Sequence, residues 1–344
     1  MTLAAFKRTA LSVLVVPGAA RVFRPFMRDR ATVFMLHRFA RDLHSGGHSV
    51  PALRSALAWM RKNRHPLISL RELVDGLERG ETPSRAVVFT IDDGYAEQAT
   101  IAASLFAEFD CPVTTFLTTG FIDGQLWLWW DRIEYVFSQT THRDVSLAVG
   151  DDMIAYRWSN DGERRAALAD LIRRCKRMSN DSKNATIAQL AVALEVDLPA
   201  RPPEQFAPMT WSDARDAEHK GMSFGPHTVT HPILSKTSAE CLEHEIGGSW
   251  QRLRAELADP VPVFCYPNGE RGDYGPREIA LFQRLNLRGA VLSTPGYASP
   301  QAFHRSPSAP FEIPRYSLPS RLPLVIQVVA GVERVKGIWR GDGT

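Results

Sequence analysis

From Ala31 onward, apolar runs of strand length alternate with segments whose apolar residues recur at helical spacing. "ATVFMLH" leads into "PALRSALAWMRKN"; "AVVFTI" leads into "AEQATIAASLFAEF", and "CPVTTFLTT" follows. Farther on, "GMSFG" precedes a helix expected from about Ser238, with a capping box between Thr237 and Glu240 and an apolar face on Leu242, Ile246, Trp250, Leu253 and Leu257. "PVFCYP", a helix around "REIALFQRL" and the strand "GAVLST" complete the series. Strands alternating with helices require crossover connections over a parallel sheet, which either stays open and doubly wound or closes into a barrel. No glycine-rich phosphate-binding loop follows any of these strands, and the barrel gains weight.

The rhythm breaks between Gly120 and about Pro208. The aromatic-rich "GQLWLWWDRIEYVF", two helix-like stretches around "ERRAALADLIRRCKRM" and "NATIAQLAVALEV", and the proline-rich "LPARPPEQFAP" fall here. Because strands of the same character resume afterwards, residues 121–208 are expected as a helical subdomain inserted into the domain spanning 31–320. Residues 1–30 then form a basic and apolar N-terminal segment, and 321–344 a C-terminal tail. Trp127, Trp129 and Trp130 are expected to pack the inserted helices, with at most one lining a sugar-binding groove.

Composition changes the picture little. The chain of 344 residues has 41 basic and 38 acidic residues, a net +3, mixed along its length, which gives no case for nucleic acid as a partner. Cys111, Cys175, Cys241 and Cys265 form no C-x-x-C pair and are expected as buried thiols. Near the start, Lys7 and Arg8 precede "ALSVLVVPGAA", which is too short to span a bilayer. It reads as a weak export signal ending near Ala20. The "RVFRPFMRDR" that follows, with Val22, Phe23, Phe26 and Met27 among arginines, suits either an amphipathic segment on an anionic membrane surface or a helix packed on the outside of the domain. The expected location is cytoplasmic, peripheral to the inner face of the membrane, with export as the alternative.

Unusual polar residues sit at the carboxyl ends of four expected strands. They are His37 after "TVFML", Asp92 and Asp93 after "VVFTI", His227 and His231 after "MSFG", and the "YPNG" turn after "VFC". In a parallel barrel these ends converge on one rim, where active sites lie. Two imidazoles four residues apart and one carboxylate from a neighbouring strand make a three-ligand set of the catalytic type, which leaves a position for water. Adjacent carboxylates in the turn after a strand can then approach one metal-bound water from different sides, the cation relieving their repulsion. Gly94 lets the backbone turn there.

These motifs resemble the polysaccharide deacetylases, the family sharing a domain with rhizobial chitooligosaccharide deacetylase and grouped as carbohydrate esterase family 4. The resemblance rests on "TIDDGY", "SFGPHTVTHPILS" and "FCYPNG", with softer support from "FMLHRF", "MTWSDARDAEHKG" and "IPRYSLP", and covers residues 31–120 and 209–320. It implies a deformed (β/α) barrel and metal-dependent removal of acetyl groups from an N-acetylated saccharide. By position, Asp92 would be the general base, and Asp93, His227 and His231 would bind one divalent metal ion, usually zinc. The tetrahedral oxyanion would be stabilised by the metal and by a backbone N–H within Tyr266, Pro267 and Asn268, that of Asn268 above all.

The sequence also departs from the family pattern. Cys265 stands where many members carry an arginine that orients the base, and Asn268 where they carry tyrosine; Arg315 in "EIPRY" is a candidate for the missing guanidinium, with a structural ion pair as the alternative. The "YPNG" form is similar to the branch containing poly-N-acetylglucosamine deacetylases. The usual L-x-H source of a general acid is missing, and His37 occupies the place of the acid in that branch, with His304 as the other candidate. Two other functions fit the same residues: an inactive carbohydrate-binding relative, and a metal hydrolase cleaving another amide or an ester. The saccharide's identity and the oligomeric state are not legible.

Overall fold

The computed structural model describes residues 19–40, 47–150 and 152–340. Its central sheet runs in parallel through β1 (Ala31–Leu36), β2 (Ala86–Asp93) and β3 (Val113–Leu117). An antiparallel hairpin follows in the chain, β4 (Asp144–Val149) and β5 (Asp152–Arg157), outside this sheet. Then come β6 (Met222–Pro226), β7 (Val263–Cys265), β8 (Gly289–Val291) and β9 (Tyr316–Ser317). The spatial order is β9-β1-β2-β3-β6 in one five-stranded sheet, with β7 and β8 as a separate parallel pair.

The two groups close on each other through short seams. Val261 N–H donates to Phe224 O on one side. On the other, Val291 bridges Ile313, and Arg315 N–H donates to Thr294 O just before β9. The result is the deformed (β/α) barrel expected from the sequence, closed by brief contacts in place of continuous ladders.

Alternation along the strands sorts two cores. Val33, Val88, Phe116, Val263, Cys265 and Val291 belong to one buried cluster inside the barrel, sealed below by the helix Leu70–Arg79. Phe34, Val87, Phe89, Ile91, Val113 and Phe224 belong to the other, under the helices Val50–Lys62, Ala103–Glu108 and Trp211–His219. The interior is tight at β6: a Cβ on Gly225 would lie 2.8 Å from the Phe116 ring and 2.9 Å from Val263 O. No larger residue fits there without moving a strand.

Several expectations are corrected. The insertion has its own core of Ile133, Val136, Phe137, Leu171, Ile187 and Leu190, but it is not purely helical, because the β4–β5 hairpin contributes Val145, Leu147 and Val149. The helix expected with a Thr237–Glu240 box is capped instead by Ser238, whose hydroxyl accepts from Cys241 N–H, while Thr237 turns its own hydroxyl back to Ile233 O. Cys241 is exposed; the other three cysteines are buried, and all four are free thiols.

The C-terminal stretch expected as a tail forms the helices Leu322–Val329 and Val332–Arg340, the first burying Val325, Ile326, Val328 and Val329. Against it packs the 3₁₀ turn Ala19–Met27: Arg334 donates to Phe26 O, and Met27 is buried. The apolar stretch proposed as an export signal lies largely outside the described residues. Among the described residues no helix is long and apolar enough to cross a membrane.

Candidate functional site

Strand register brings the polar ends together. Asp92 pairs with Phe116, Asp93 with Leu117, and Leu117 with Pro226, so that His227 follows directly on the neighbouring strand end. Leu36 pairs with Ile91, which sets His37 level with Asp92. In β2, Val88, Thr90 and Asp92 share the inward parity, and regular alternation would turn Asp93 out. Instead Asp93 adopts φ +89°, followed by Gly94 at φ +102°, which breaks the alternation at the last strand residue. A Cβ on Gly94 would sit 2.5 Å from Ile122 Cδ1, so the position is closed to side chains on both counts.

Asp93 Oδ1 lies 3.7 Å from Nε2 of both His227 and His231. All three are buried. His227 is oriented by its other ring nitrogen, which lies 2.7 Å from Cys265 O; donation from Nδ1–H there leaves Nε2 as the lone-pair nitrogen. His231 is reached through a strained loop, with Thr228 at φ +68° and His231 at φ +59°, and its backbone N–H donates to the Thr228 hydroxyl. The Trp130 ring stands edge-on to the His231 ring at 4.7 Å. Burial pushes the His227 imidazole down to about 4 and the His231 imidazole well below its ordinary range. Burial, reinforced by the charges of Asp92 and Asp131, pushes the Asp93 carboxyl well above the usual carboxylate range.

This donor set fits a small divalent cation. Tetrahedral bonds of about 2.0–2.1 Å put donor atoms roughly 3.4 Å apart, a contraction of a few tenths of an ångström from the spacing here. Two neutral imidazoles and a carboxylate that resists ionisation unaided are the groups a cation would organise. Asp92, His227 and Cys265 also cluster within 4.8 Å. That set suits a cation poorly, because a guanidinium already occupies Asp92 and burial keeps the Cys265 thiol protonated.

The guanidinium belongs to Arg315, which is 1% exposed. It grips Asp92 with two parallel bonds, Nη1 to Oδ1 at 2.7 Å and Nη2 to Oδ2 at 2.8 Å. Nη1 also reaches the Thr90 hydroxyl, Nη2 the Cys265 sulfur and Nε the Leu292 carbonyl, which uses all five N–H donors. Burial alone would raise the Asp92 carboxyl, but the Arg315 charge and hydrogen bonds outweigh it and hold the carboxyl far below the usual range. Arg315, which immediately precedes β9, thus brings a guanidinium to Asp92 and points across to Cys265.

His37 Nε2 lies 3.8 Å from Asp92 Oδ2, with 45% of its side chain open to solvent at the mouth of the site. Packing lowers its basicity, and Arg315 adds to this while Asp92 opposes it. Asn268 sits in the turn after β7 at φ +61° and, among the described residues, its backbone N–H meets no acceptor. Tyr266 does not bring its side chain to the site: alternation turns the ring behind β7, where it stacks on Tyr274 at 4.3 Å and packs against Phe264 and Phe282. Pro267, next in the turn, is buried. His304 lies apart from this group, its Nε2 2.9 Å from Leu77 O on the helix that seals the barrel floor.

Two supporting residues escaped the sequence reading. Gln98, wholly buried, accepts from Gly94 N–H and donates to the carbonyls of His37 and Asp92, tying the ends of β1 and β2 together. It opens a π-helical turn, Gln98–Ala102, a local widening common at functional sites. Tyr95 donates to Asp131 at 2.8 Å and accepts from Trp130 Nε1 at 2.9 Å, fixing the ring that faces His231. A glutamine and a tyrosine just after "DDG" were the available signal, but nothing in the sequence announces which backbone groups they meet.

The family model described as polysaccharide deacetylase matches residues 79–288. Among solved structures, the deacetylase PplD of Streptococcus pyogenes superposes with a TM-score of 0.57 at 16% identity, covering 87% of this chain and 98% of that one. IcaB from Ammonifex degensii does so with 0.55 at 16% identity, covering 88% and 97%. BC0361, a polysaccharide deacetylase from Bacillus cereus, gives 0.54 at 13% identity, covering 87% and 69%. Comparison with curated proteins returned no match. At these identities the structural likeness establishes the barrel, while the family match spans most of the chain: the protein belongs to the polysaccharide deacetylase family and is a deacetylase hydrolase.

Proposed function

We propose that this enzyme removes N-acetyl groups from an N-acetylated saccharide, part of a cell-surface polysaccharide or its precursor, with zinc as its metal ion. The observation that carries the proposal is the pairing of two differently tuned carboxylates. Asp93 faces two imidazole nitrogens, and Asp92, beside it, is kept ionised by Arg315 and touches neither imidazole Nε2. Binding alone would not need a second carboxylate held ionised outside the ligand set.

In this reading Asp93, His227 and His231 hold the cation. When bound, a zinc ion acidifies water and polarises the acetamide carbonyl. Asp92 accepts the proton lost by the attacking water. Arg315 makes Asp92 a dependable but weak base, so the proton's better resting place is His37, 3.8 Å away. His37 is neutral at rest and, once charged, donates to the departing nitrogen, which must leave as an amine. The free N–H of Asn268 is the donor for the oxyanion as the carbonyl becomes tetrahedral. Pro267 fixes the turn that presents it.

The test is acetate release across a panel of N-acetylated glycans and lipid- or nucleotide-linked sugars, with and without chelator. Asp92→Asn should bind zinc as the wild type does and release no acetate. Undiminished turnover in that variant would remove Asp92 from the base role. Turnover indifferent to thorough chelation would remove the metal.

A further inference from the structure

The helical insertion walls a cleft of about 560 Å³ next to the site, lined in part by Trp127, Trp129, Arg132, Lys183, Asn184 and Thr230. Its walls adjoin the site in two places. Thr230 directly precedes His231, and Trp129 directly precedes Trp130, whose ring faces His231.

Lys183, in the first turn of the helix Asn180–Ala193, is 2% exposed. Its ammonium lies 5.0 Å over the Trp129 ring and makes no hydrogen bond or salt bridge among the described residues. Arg132, a second cation on the same lining, donates to the Asn184 side-chain oxygen. Among the described residues no carboxylate lines the cleft. The buried acid behind Thr230 is Glu245, already engaged by Val229 N–H, Thr230 N–H and the Thr230 hydroxyl. Trp127 adds a buried indole N–H with no acceptor.

Buried cations are normally paired, and an aromatic face compensates only part of the lost hydration. Burial accordingly pushes the Lys183 ammonium down to about 8. A cleft with two cations, an unpaired donor and indole faces, but no anion of its own, is complementary to an anionic sugar.

Resting on the deacetylase reading above, we propose that this cleft binds an oxyanion of the saccharide substrate, a carboxylate or a phosphate carried next to the N-acetylated sugar, with Lys183 as its counter-ion. Arg132 is the second cation, and the tryptophans support the sugar ring. The insertion thereby selects acidic over neutral glycans.

Calorimetry on the Asp92→Asn protein, expected to bind without turnover, tests this with three probes: neutral chitotetraose, a hyaluronan tetrasaccharide bearing carboxylates, and N-acetylglucosamine 1-phosphate; the chelator-treated wild type replaces it as the parent should loss of the ion pair with Arg315 unfold it. At least one acidic probe should bind ten-fold tighter than chitotetraose, and which one does so identifies the oxyanion. Adding Lys183→Met should reduce that binding at least ten-fold and leave chitotetraose within two-fold, whereas Lys183→Arg should retain most of the preference. Lys183→Met should also melt no lower than its parent, since it removes an unpaired buried charge; should it fail to fold, Arg132→Gln is read the same way. Equal affinity for all three probes, or an acidic preference that survives Lys183→Met, overturns the proposal. Acetate release by the wild type, measured in parallel, reports separately on the deacetylase reading: lysine-dependent binding without any release would sink that reading and leave the cleft.

Discussion

Arg315 and Asp92 face each other as a two-point ion pair wholly inside the barrel, 2.7 and 2.8 Å long, although 223 residues separate them in the chain. Removing one partner of such a pair strands the other charge and costs about 3–5 kcal/mol. Arg315→Met should therefore lose roughly that much in urea unfolding at neutral pH, and Arg315→Lys somewhat less, because an ammonium keeps the charge but not the fork. The deficit shrinks on acidification. In the wild type the depressed Asp92 carboxyl stabilises the fold above its unfolded value near 4 and loses that contribution as pH falls toward its own lower value. In Arg315→Met burial raises the same carboxyl, so protonation relieves the variant, and the deficit should narrow between pH 7.5 and 5. A deficit independent of pH would mean that the loss is packing and not charge.

Gln98 meets three backbone groups, the Gly94 N–H and the carbonyls of His37 and Asp92, and Gln98→Leu keeps its bulk while abandoning them. At about 1 kcal/mol or more for each buried group left unpaired, the variant should lose roughly 3 kcal/mol. Because two of those groups belong to His37 and Asp92, kcat should fall more than KM changes. A stability loss with unchanged kcat would make Gln98 purely structural.

His37 should set the acid limb of the pH–rate profile. Its imidazole titrates below the ordinary 6.5, and the relay needs it neutral at rest, so kcat/KM should rise with pH through that region and level off. Asp92 ionises too low to contribute there. His37→Gln should slow turnover about 10²–10⁴-fold and flatten the limb. If the limb persists unchanged in His37→Gln, another group owns it.

Zinc uptake should release protons. The Asp93 carboxyl is pushed up by burial and by its anionic neighbours, so a cation competes with its proton, and affinity should climb as pH rises. Titration calorimetry in two buffers of different ionisation heat would measure the release. Asp93→Asn and His231→Gln should each weaken binding by at least a hundred-fold; wild-type affinity in either variant would place the ion elsewhere.

Much of the barrel was legible because strand-length apolar runs and helical periodicity are written locally, and their alternation admits few topologies. The convergence of Asp92, Asp93, His227, His231 and His37 was legible because the carboxyl ends of parallel strands share a rim. The reading failed where the decisive fact was three-dimensional. Arg315 could be nominated but not distinguished from a structural pair, since its partner depends on a long side chain crossing the interior. The β4–β5 hairpin was readable from the period-2 burial of Val145, Leu147 and Val149, but helical neighbours on both sides masked it. Tyr266 looked like part of the site because its turn is; alternation by one residue sent its ring to the opposite core. Lys183 carried no signal, as a lysine in a helix is ordinarily solvated.

The guanidinium that neutralises Asp92 comes from Arg315, just before β9, after every metal-binding candidate has already appeared in the chain. During synthesis, a ribosome that has released residues through His231 has delivered both carboxylates and both imidazoles, yet nothing to quiet Asp92 until Arg315 emerges. A fragment ending anywhere between the two would have to bury Asp92 without its counter-charge, so the barrel interior is electrically complete only once the chain reaches Arg315.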